Sequence, residues 1–230
     1  MIEAVILAAG MGQRLDASPQ HIPKALTILA SGHSILGRML ALLEEEVDAI
    51  QIVVGYQWEM IQAAFPHIPL IINPRFQETN TAKSLLMGLQ GIENDLLFLN
   101  GDLVFQKKTL KALLDNSHTA MVVNQTHPDD EAVKYCTSAS KNIMRIAKQL
   151  KGAEGESLGM HFFRKKDIHL LKKHLEFALE GDFFEAAIQG CIEEGLMIHP
   201  VYVEENSCIE IDFAQDLQKA NGLVQQWEML

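Results

Sequence analysis

Several things are scarce in this 230-residue sequence. It has three cysteines, Cys136, Cys191 and Cys208. Their odd number and wide spacing give neither a zinc pattern nor a disulfide framework, so buried thiols in a reducing compartment are expected. Positive charge is short as well, with 19 Lys+Arg against 30 Asp+Glu and a formal charge of −11. Duplex-binding proteins need a basic face to neutralise phosphates, so general nucleic-acid binding is not expected; a small phosphate ligand needs only a few local cations. No stretch approaches the ~20 apolar residues of a membrane-spanning helix. The short apolar run at the N-terminus has no basic residue ahead of it, unlike a secretory signal, and a cytoplasmic location is expected. The 7 prolines and 15 glycines form no linker that divides the chain. With 48% hydrophobic and 21% charged residues, the composition is that of an ordinary globular protein, and disorder is excluded for most of the length.

The first half alternates short apolar runs with helical patterns. Strands are expected at residues 4–8, 50–54, 70–72, 95–99 and 120–123. Helices are expected at 34–46, 57–65, 81–89 and 107–114. This alternation predicts βαβ units, and hence an α/β fold with an open, mostly parallel, Rossmann-like sheet covered by helices on both faces. After residue 125 the rhythm changes. Strands are expected near 133–136, 142–147, 158–163 and 197–203, and helices at 165–179, 183–194 and 213–227. The second half reads as an elaboration on the same sheet, so the expected organisation is one domain over 1–230, with a nucleotide-binding half (1–124) and an acceptor-binding half (125–230).

The most informative stretch is Leu7-Ala8-Ala9-Gly10-Met11-Gly12-Gln13-Arg14-Leu15. A buried strand ending in Gly-x-Gly lets backbone N–H groups approach an anion, because no Cβ blocks the way. A Walker A loop is excluded, since no Gly-Lys-Ser/Thr closes the segment. The dinucleotide fingerprint needs a third glycine where Leu15 stands, which argues against a nicotinamide-binding reductase. Two readings stay open on the residues alone: Arg14 clamps a phosphate held by the loop, or the glycines serve only the turn. Ten residues on, Pro23-Lys24 holds a compact ammonium behind a backbone-stiffening proline.

Three further segments carry polar residues at element ends. Leu99-Asn100-Gly101-Asp102 delivers a carboxylate past a buried strand, as a ligand or as a turn residue. Asp212 precedes a helix and reads locally as an N-cap, with Gln215 completing a capping box. Asn80 reads as an N-cap or as a base-reading amide, and Ser84 as an ordinary helix residue.

Taken together, Leu-Ala-Ala-Gly-x-Gly-x-Arg followed by Pro-Lys resembles the signature of the sugar-phosphate nucleotidyltransferase superfamily. Asn73-Pro74-Arg75-Phe76, Glu78-Thr79-Asn80-Thr81, Gly101-Asp102, Gly155-Glu156 with Gly159, Glu210-Ile211-Asp212 and Asp216-Leu217 follow in family order. The short form is similar to the phosphocholine cytidylyltransferase branch. The resemblance implies an enzyme that joins a nucleoside triphosphate, with CTP favoured, to a phosphorylated small acceptor and releases pyrophosphate. It implies Arg14 on the pyrophosphate and Lys24 between the α-phosphate and the acceptor. Asp102 and Asp212 would hold Mg²⁺. The nucleotide would lie against Leu7, Ala8, Ala9, Gly10, Gly12, Gly101, Asn80 and Ser84. Replacing Arg14 or Lys24 with Ala is expected to reduce turnover far more than folding. The chain ends soon after its last expected helix, so the C-terminal repeat domain of some relatives is not expected.

The acceptor side is less constrained. The resemblance places it in the second half, where Lys134, Glu156 and Glu185 are the candidates. Lys148 is a further cation for an acceptor phosphate. A choline-like cation would want aromatic faces, for which Tyr135, Phe162, Phe163 and Tyr202 are available; each also reads as an ordinary core residue. A sugar 1-phosphate would instead want hydrogen-bonding side chains, and Glu156 serves that too. The rival of another class is a nucleotide-binding regulator without turnover, which would not need both aspartates.

Overall fold

The computed structural model describes residues 1–12, 15, 22–126 and 132–228. Eleven strands and seven α-helices occur among them. In chain order these are β1 (Ile2–Ala8), α1 (Ile35–Leu43), β2 (Ala49–Val54), α2 (Trp58–Ala64), β3 (Leu70–Ile72), α3 (Thr81–Gly88), β4 (Asp95–Asn100), β5 (Leu103–Phe105), α4 (Lys107–Leu114) and β6 (Ala120–Val123). The second half adds β7 (Lys134–Thr137), β8 (Ile143–Ala147), β9 (Gly155–Phe163), α5 (Ile168–Phe177), α6 (Phe184–Glu193), β10 (His199–Tyr202), β11 (Cys208–Glu210) and α7 (Ala214–Glu228).

The main sheet runs β10-β6-β9-β4-β1-β2-β3, with β7 and β8 attached to the start of β9. β1 lies parallel between β2 and β4, and its continuous apolar run follows from burial on both faces. The period-2 alternation of a strand sorts its side chains cleanly. Ala4 and Ile6 point to one face, where Leu36 and Met39 of α1, Ile61 of α2 and Leu110 of α4 pack. Val5 and Leu7 point to the other, against Leu85 of α3, Leu171 of α5 and Ile188 of α6. Both clusters take residues from each half of the chain.

Two features depart from a simple parallel reading. β9 inserts antiparallel between β4 and β6, pairing Leu97 and Ala120 with Phe162. A separate two-stranded ribbon, β5 with β11, forms beside the sheet. The ribbon has its own cluster, in which Val104 and Ile211 meet Ala220 and Val224 of α7. It matters because it carries residues 208–212 back to the end of β4: the Ile211 N–H donates to the Asp102 carbonyl at 3.1 Å.

Candidate active site

The carboxyl ends of β1, β4 and β6 and the start of the antiparallel β9 meet at one edge of the sheet. Ligands in open α/β sheets bind in such a crevice. Here it is a cleft of about 1080 Å³. Leu7, Ala8, Gly10, Gly12 and Lys24 form part of its wall, with Asn80 and Thr81 at the start of α3 and Asn100 to Asp102 after β4. Glu156, Glu185, Glu210 and Asp212 line the rest of it together with Asn124, Lys148, Phe183 and Asn206.

Two glycines permit the close approach of these segments. The Gly101 N–H donates to the Leu7 carbonyl at 2.9 Å, and a Cβ there would come within 2.9 Å of both that oxygen and the Ala8 Cβ. Gly101 thus lets the end of β4 cross onto β1. Gly12 has φ +60°, and a Cβ there would sit 2.8 Å from the Lys24 Cβ. The glycine loop therefore rests directly on the lysine stem. At Gly10 a Cβ would meet nothing within 4 Å, leaving room on the cleft side.

Lys24 opens a single 3-10 turn behind Pro23. Its Nζ donates to Asp102 Oδ2 at 2.7 Å and to Asp212 Oδ1 at 2.8 Å. All three side chains are largely buried, at 13%, 20% and 27% exposure. Burial alone would lower the lysine pKa, but the two carboxylates together outweigh it and the net shift is upward. Asp102 Oδ1 is buried without a hydrogen-bond partner. Two carboxylates converging on one point, one of them with an orphaned oxygen, fit a hard divalent cation, which takes oxygen ligands and completes its shell with phosphate and water.

Although its position suggests a helix cap, among the described residues no backbone N–H at the start of α7 donates to the Asp212 side chain. Asp216 Oδ2 instead accepts from the Asp212 N–H at 3.0 Å and the Phe213 N–H at 2.7 Å. The Asp212 carboxylate faces Lys24. Glu210, two residues earlier, lines the same cleft and accepts from Asn100 Nδ2 at 3.3 Å. Although part of its surface is open to the cleft, it is crowded by protein. This desolvation, with the neighbouring Asp102 and Asp212 charges, pushes its pKa up.

At the start of α3, Asn80 Oδ1 accepts from the Thr81 N–H at 2.9 Å while Nδ2 donates to the Gly181 carbonyl at 3.3 Å. Asn80 is thus both a cap and part of the cleft wall. Ser84 is buried and off the wall, where its Oγ accepts from Asn73 Nδ2 at 3.0 Å. Ala9 is also buried, and its carbonyl accepts from the Tyr56 N–H at 3.2 Å. Arg14 lies outside the described residues.

On the opposite wall, Glu156 Oε1 accepts from Asn124 Nδ2 at 2.6 Å, and the Tyr135 hydroxyl donates to the Asn124 carbonyl at 3.0 Å. Glu185, in the first turn of α6, lines the cleft with Oε2 buried and unpartnered; burial pushes its pKa up to about 7. Lys134 is not on the wall, and its Nζ donates to the Lys148 carbonyl at 3.0 Å. Tyr135, Phe162 and Phe163 are core residues, and Tyr202 lies on edge strand β10 away from the cleft. Phe183 does line the cleft, but Lys148 Nζ stands 4.5 Å from its ring centroid. Asn124, Asn206 and Phe183 carried no motif signal, and Glu210 was visible only as part of Glu-Ile-Asp.

The sequence matches the MobA-like NTP transferase domain family over residues 4–175. The chain belongs to that family. Among sequence relatives, the bifunctional protein GlmU of Methanocaldococcus jannaschii is 26% identical over 178 residues, covering 75% of this chain and 42% of that protein. The chain thus spans less than half the length of the curated relatives it matches. Among solved structures, the inositol-1-phosphate CTP transferase of T. maritima superposes with a TM-score of 0.82 at 21% identity, over 98% of this chain and 96% of that one. The CTP:phosphocholine cytidylyltransferase of Streptococcus pneumoniae (LicC) gives 0.83 at 19% identity, over 97% and 99%. These likenesses establish the nucleotidyltransferase fold, with its largely parallel central sheet. Among the described residues no helix is long and apolar enough to cross a membrane.

Proposed function

We propose that this MobA-like NTP transferase moves a nucleotidyl group, with CTP as the favoured donor, onto a phosphorylated small acceptor. The observation that carries the proposal is the convergence of Lys24, Asp102 and Asp212 at the sheet's carboxyl edge, beside the glycine loop. An acceptor phosphate oxygen attacks the α-phosphorus in line. The bond from the α-phosphorus to the bridging oxygen breaks, and pyrophosphate leaves with that electron pair. Asp102 and Asp212 would hold a divalent cation, proposed as Mg²⁺, which when bound neutralises charge on the phosphate oxygens. Lys24 holds the α-phosphate and acceptor phosphate together, a positional and electrostatic contribution. Gly10 and Gly12 give the loop backbone access to the phosphates, Gly101 brings Asp102 to the same point, and Asn80 faces the base. Arg14 is assigned to the leaving pyrophosphate.

The acceptor half favours a head group that donates hydrogen bonds. Glu185 Oε2 and Asn206 Oδ1 are buried, unpartnered acceptor atoms of residues on the cleft wall. A hydroxyl or primary ammonium could satisfy them, whereas a trimethylammonium has no N–H or O–H to give and needs aromatic faces. Three of the four aromatic candidates are in the core, and the Phe183 face is shared with Lys148. Phosphorylated small alcohols with an amine or hydroxyl, and sugar 1-phosphates, are therefore preferred over phosphocholine.

Pyrophosphate release should be measured over a matrix of CTP, UTP, GTP, ATP and dTTP. The acceptor axis should hold phosphoethanolamine, phosphocholine, 2-aminoethylphosphonate, glycerol phosphate, inositol 1-phosphate and sugar 1-phosphates. A CTP-dependent signal strongest with a donor-bearing acceptor supports the reading. A preference for phosphocholine overturns the acceptor assignment, and silence with tight nucleotide binding favours a regulatory binder.

A further inference from the structure

Lys24 stands on the ground that the proposed reaction gives to a divalent cation. Its ammonium is 2.7 Å from Asp102 Oδ2 and 2.8 Å from Asp212 Oδ1. A cation bound by both carboxylates and this ammonium cannot share that position, because like charges a few ångströms apart in a largely buried site repel strongly. We propose that Lys24 is the resident counter-ion of the substrate-free cleft, so that a divalent cation enters only as a nucleotide α-phosphate draws the ammonium away. The inference rests on the nucleotidyl-transfer reading for which residues hold the cation.

Three observations support an occupant that can be displaced rather than a permanent structural bridge. First, Asp102 Oδ1 stays buried without a partner even with the ammonium in place. Lys24 therefore leaves one oxygen of the Asp102 carboxylate unserved. Second, an ammonium has three N–H donors and two are used here, leaving one for an arriving phosphate oxygen. Third, the lysine stem is packed under Gly12 of the glycine loop. Anything that seats a nucleotide on that loop acts on Lys24 as well, so nucleotide and cation sites share a moving part. Binding of one then favours the other by the same factor in both directions.

The test is binding of free Mn²⁺ without nucleotide, followed by electron paramagnetic resonance, in wild type, Lys24→Met, Lys219→Met and the Lys24→Met/Asp102→Asn double variant. Far-UV circular dichroism establishes that each is folded. Lys219 is another ammonium on the cleft wall, with no ion pair to either aspartate among the described residues. Its removal controls for the general loss of positive charge. Lys24→Met should tighten Mn²⁺ binding by about tenfold or more, a typical coupling magnitude, and the double variant should lose the gain. Lys219→Met should change the affinity by less than about twofold, as a screened charge does. Equal Mn²⁺ affinity in wild type and folded Lys24→Met overturns the counter-ion role while leaving the cation site standing. An equal gain in Lys219→Met also overturns it. No Mn²⁺ binding by any folded protein, even with CTP added, overturns the cation site itself.

Discussion

Replacing His161 with Leu should make the protein less sensitive to acid. The imidazole lies in β9 at 1% exposure, stacked on Phe98 with ring centroids 4.8 Å apart, and neither ring nitrogen has a hydrogen-bond partner. Burial alone pushes its pKa from 6.5 down to about 3. As the pH falls below about 6.5, the unfolded chain therefore takes up a proton that the folded protein refuses. The unfolded state binds more protons, so stability falls with pH across this window and the loss is complete near pH 3. At about 1.4 kcal/mol per pH unit, this group alone removes about 2 kcal/mol between about pH 7.5 and pH 5. His161→Leu deletes the titration. It also loses the ring stack, at a pH-independent cost of about 1 kcal/mol. Urea unfolding at the two pH values, followed by fluorescence of Trp58 and Trp227, gives the difference directly. Other titrating groups cancel in the comparison of wild type with variant. Equal losses in both proteins, within about 0.5 kcal/mol, would refute the reasoning.

Three other perturbations have defined outcomes. Gly12→Ala forces an L-residue into φ +60° and a Cβ against the Lys24 stem. It should cost about 1–2 kcal/mol in urea unfolding and reduce turnover, and an unaltered midpoint would contradict the packing argument. Asp216→Ala removes the carboxylate that reaches back to the Asp212 and Phe213 N–H groups. A loss of about 1 kcal/mol in chemical denaturation is expected. Glu185→Gln removes a carboxyl whose ionisation burial opposes, raising its pKa from 4.5 to about 7. The folded state holds this proton longer than the unfolded chain, so the penalty grows between those pH values and persists above them. The variant should gain about 3 kcal/mol relative to wild type on going from about pH 4 to pH 8, measured by denaturation at both.

The main sheet was legible because its strands are buried on both faces. Runs such as residues 96–99 and 120–123 are apolar throughout, and β3, α4 and β6 have the expected bounds. The ribbon of β5 and β11 was not, since each strand has three residues and their pairing joins positions about a hundred residues apart. Strand direction is likewise tertiary: nothing local in Leu-Gly-Met-His-Phe-Phe marks β9 as antiparallel. At the site, Asp212 and Asp216 both read as acids beside a helix start, and only the fold shows that the later one makes the cap. Tyr135 drew attention as an aromatic face, yet its hydroxyl supports Asn124 and its ring is core. Ser84 and Lys134 follow the same logic, since helical and strand phase turned them away from the cleft.

The most direct test of nucleotidyl transfer in this cleft is ³¹P nuclear magnetic resonance of CTP, Mg²⁺ and a donor-bearing phosphorylated acceptor, with an ¹⁸O-labelled acceptor phosphate. Wild type and Asp102→Asn should be run in parallel. The account predicts pyrophosphate and a new diphosphate diester whose bridging oxygen carries the label, formed by wild type and lost in the variant. Label absent from the bridge, or product formed equally by folded Asp102→Asn, would contradict it.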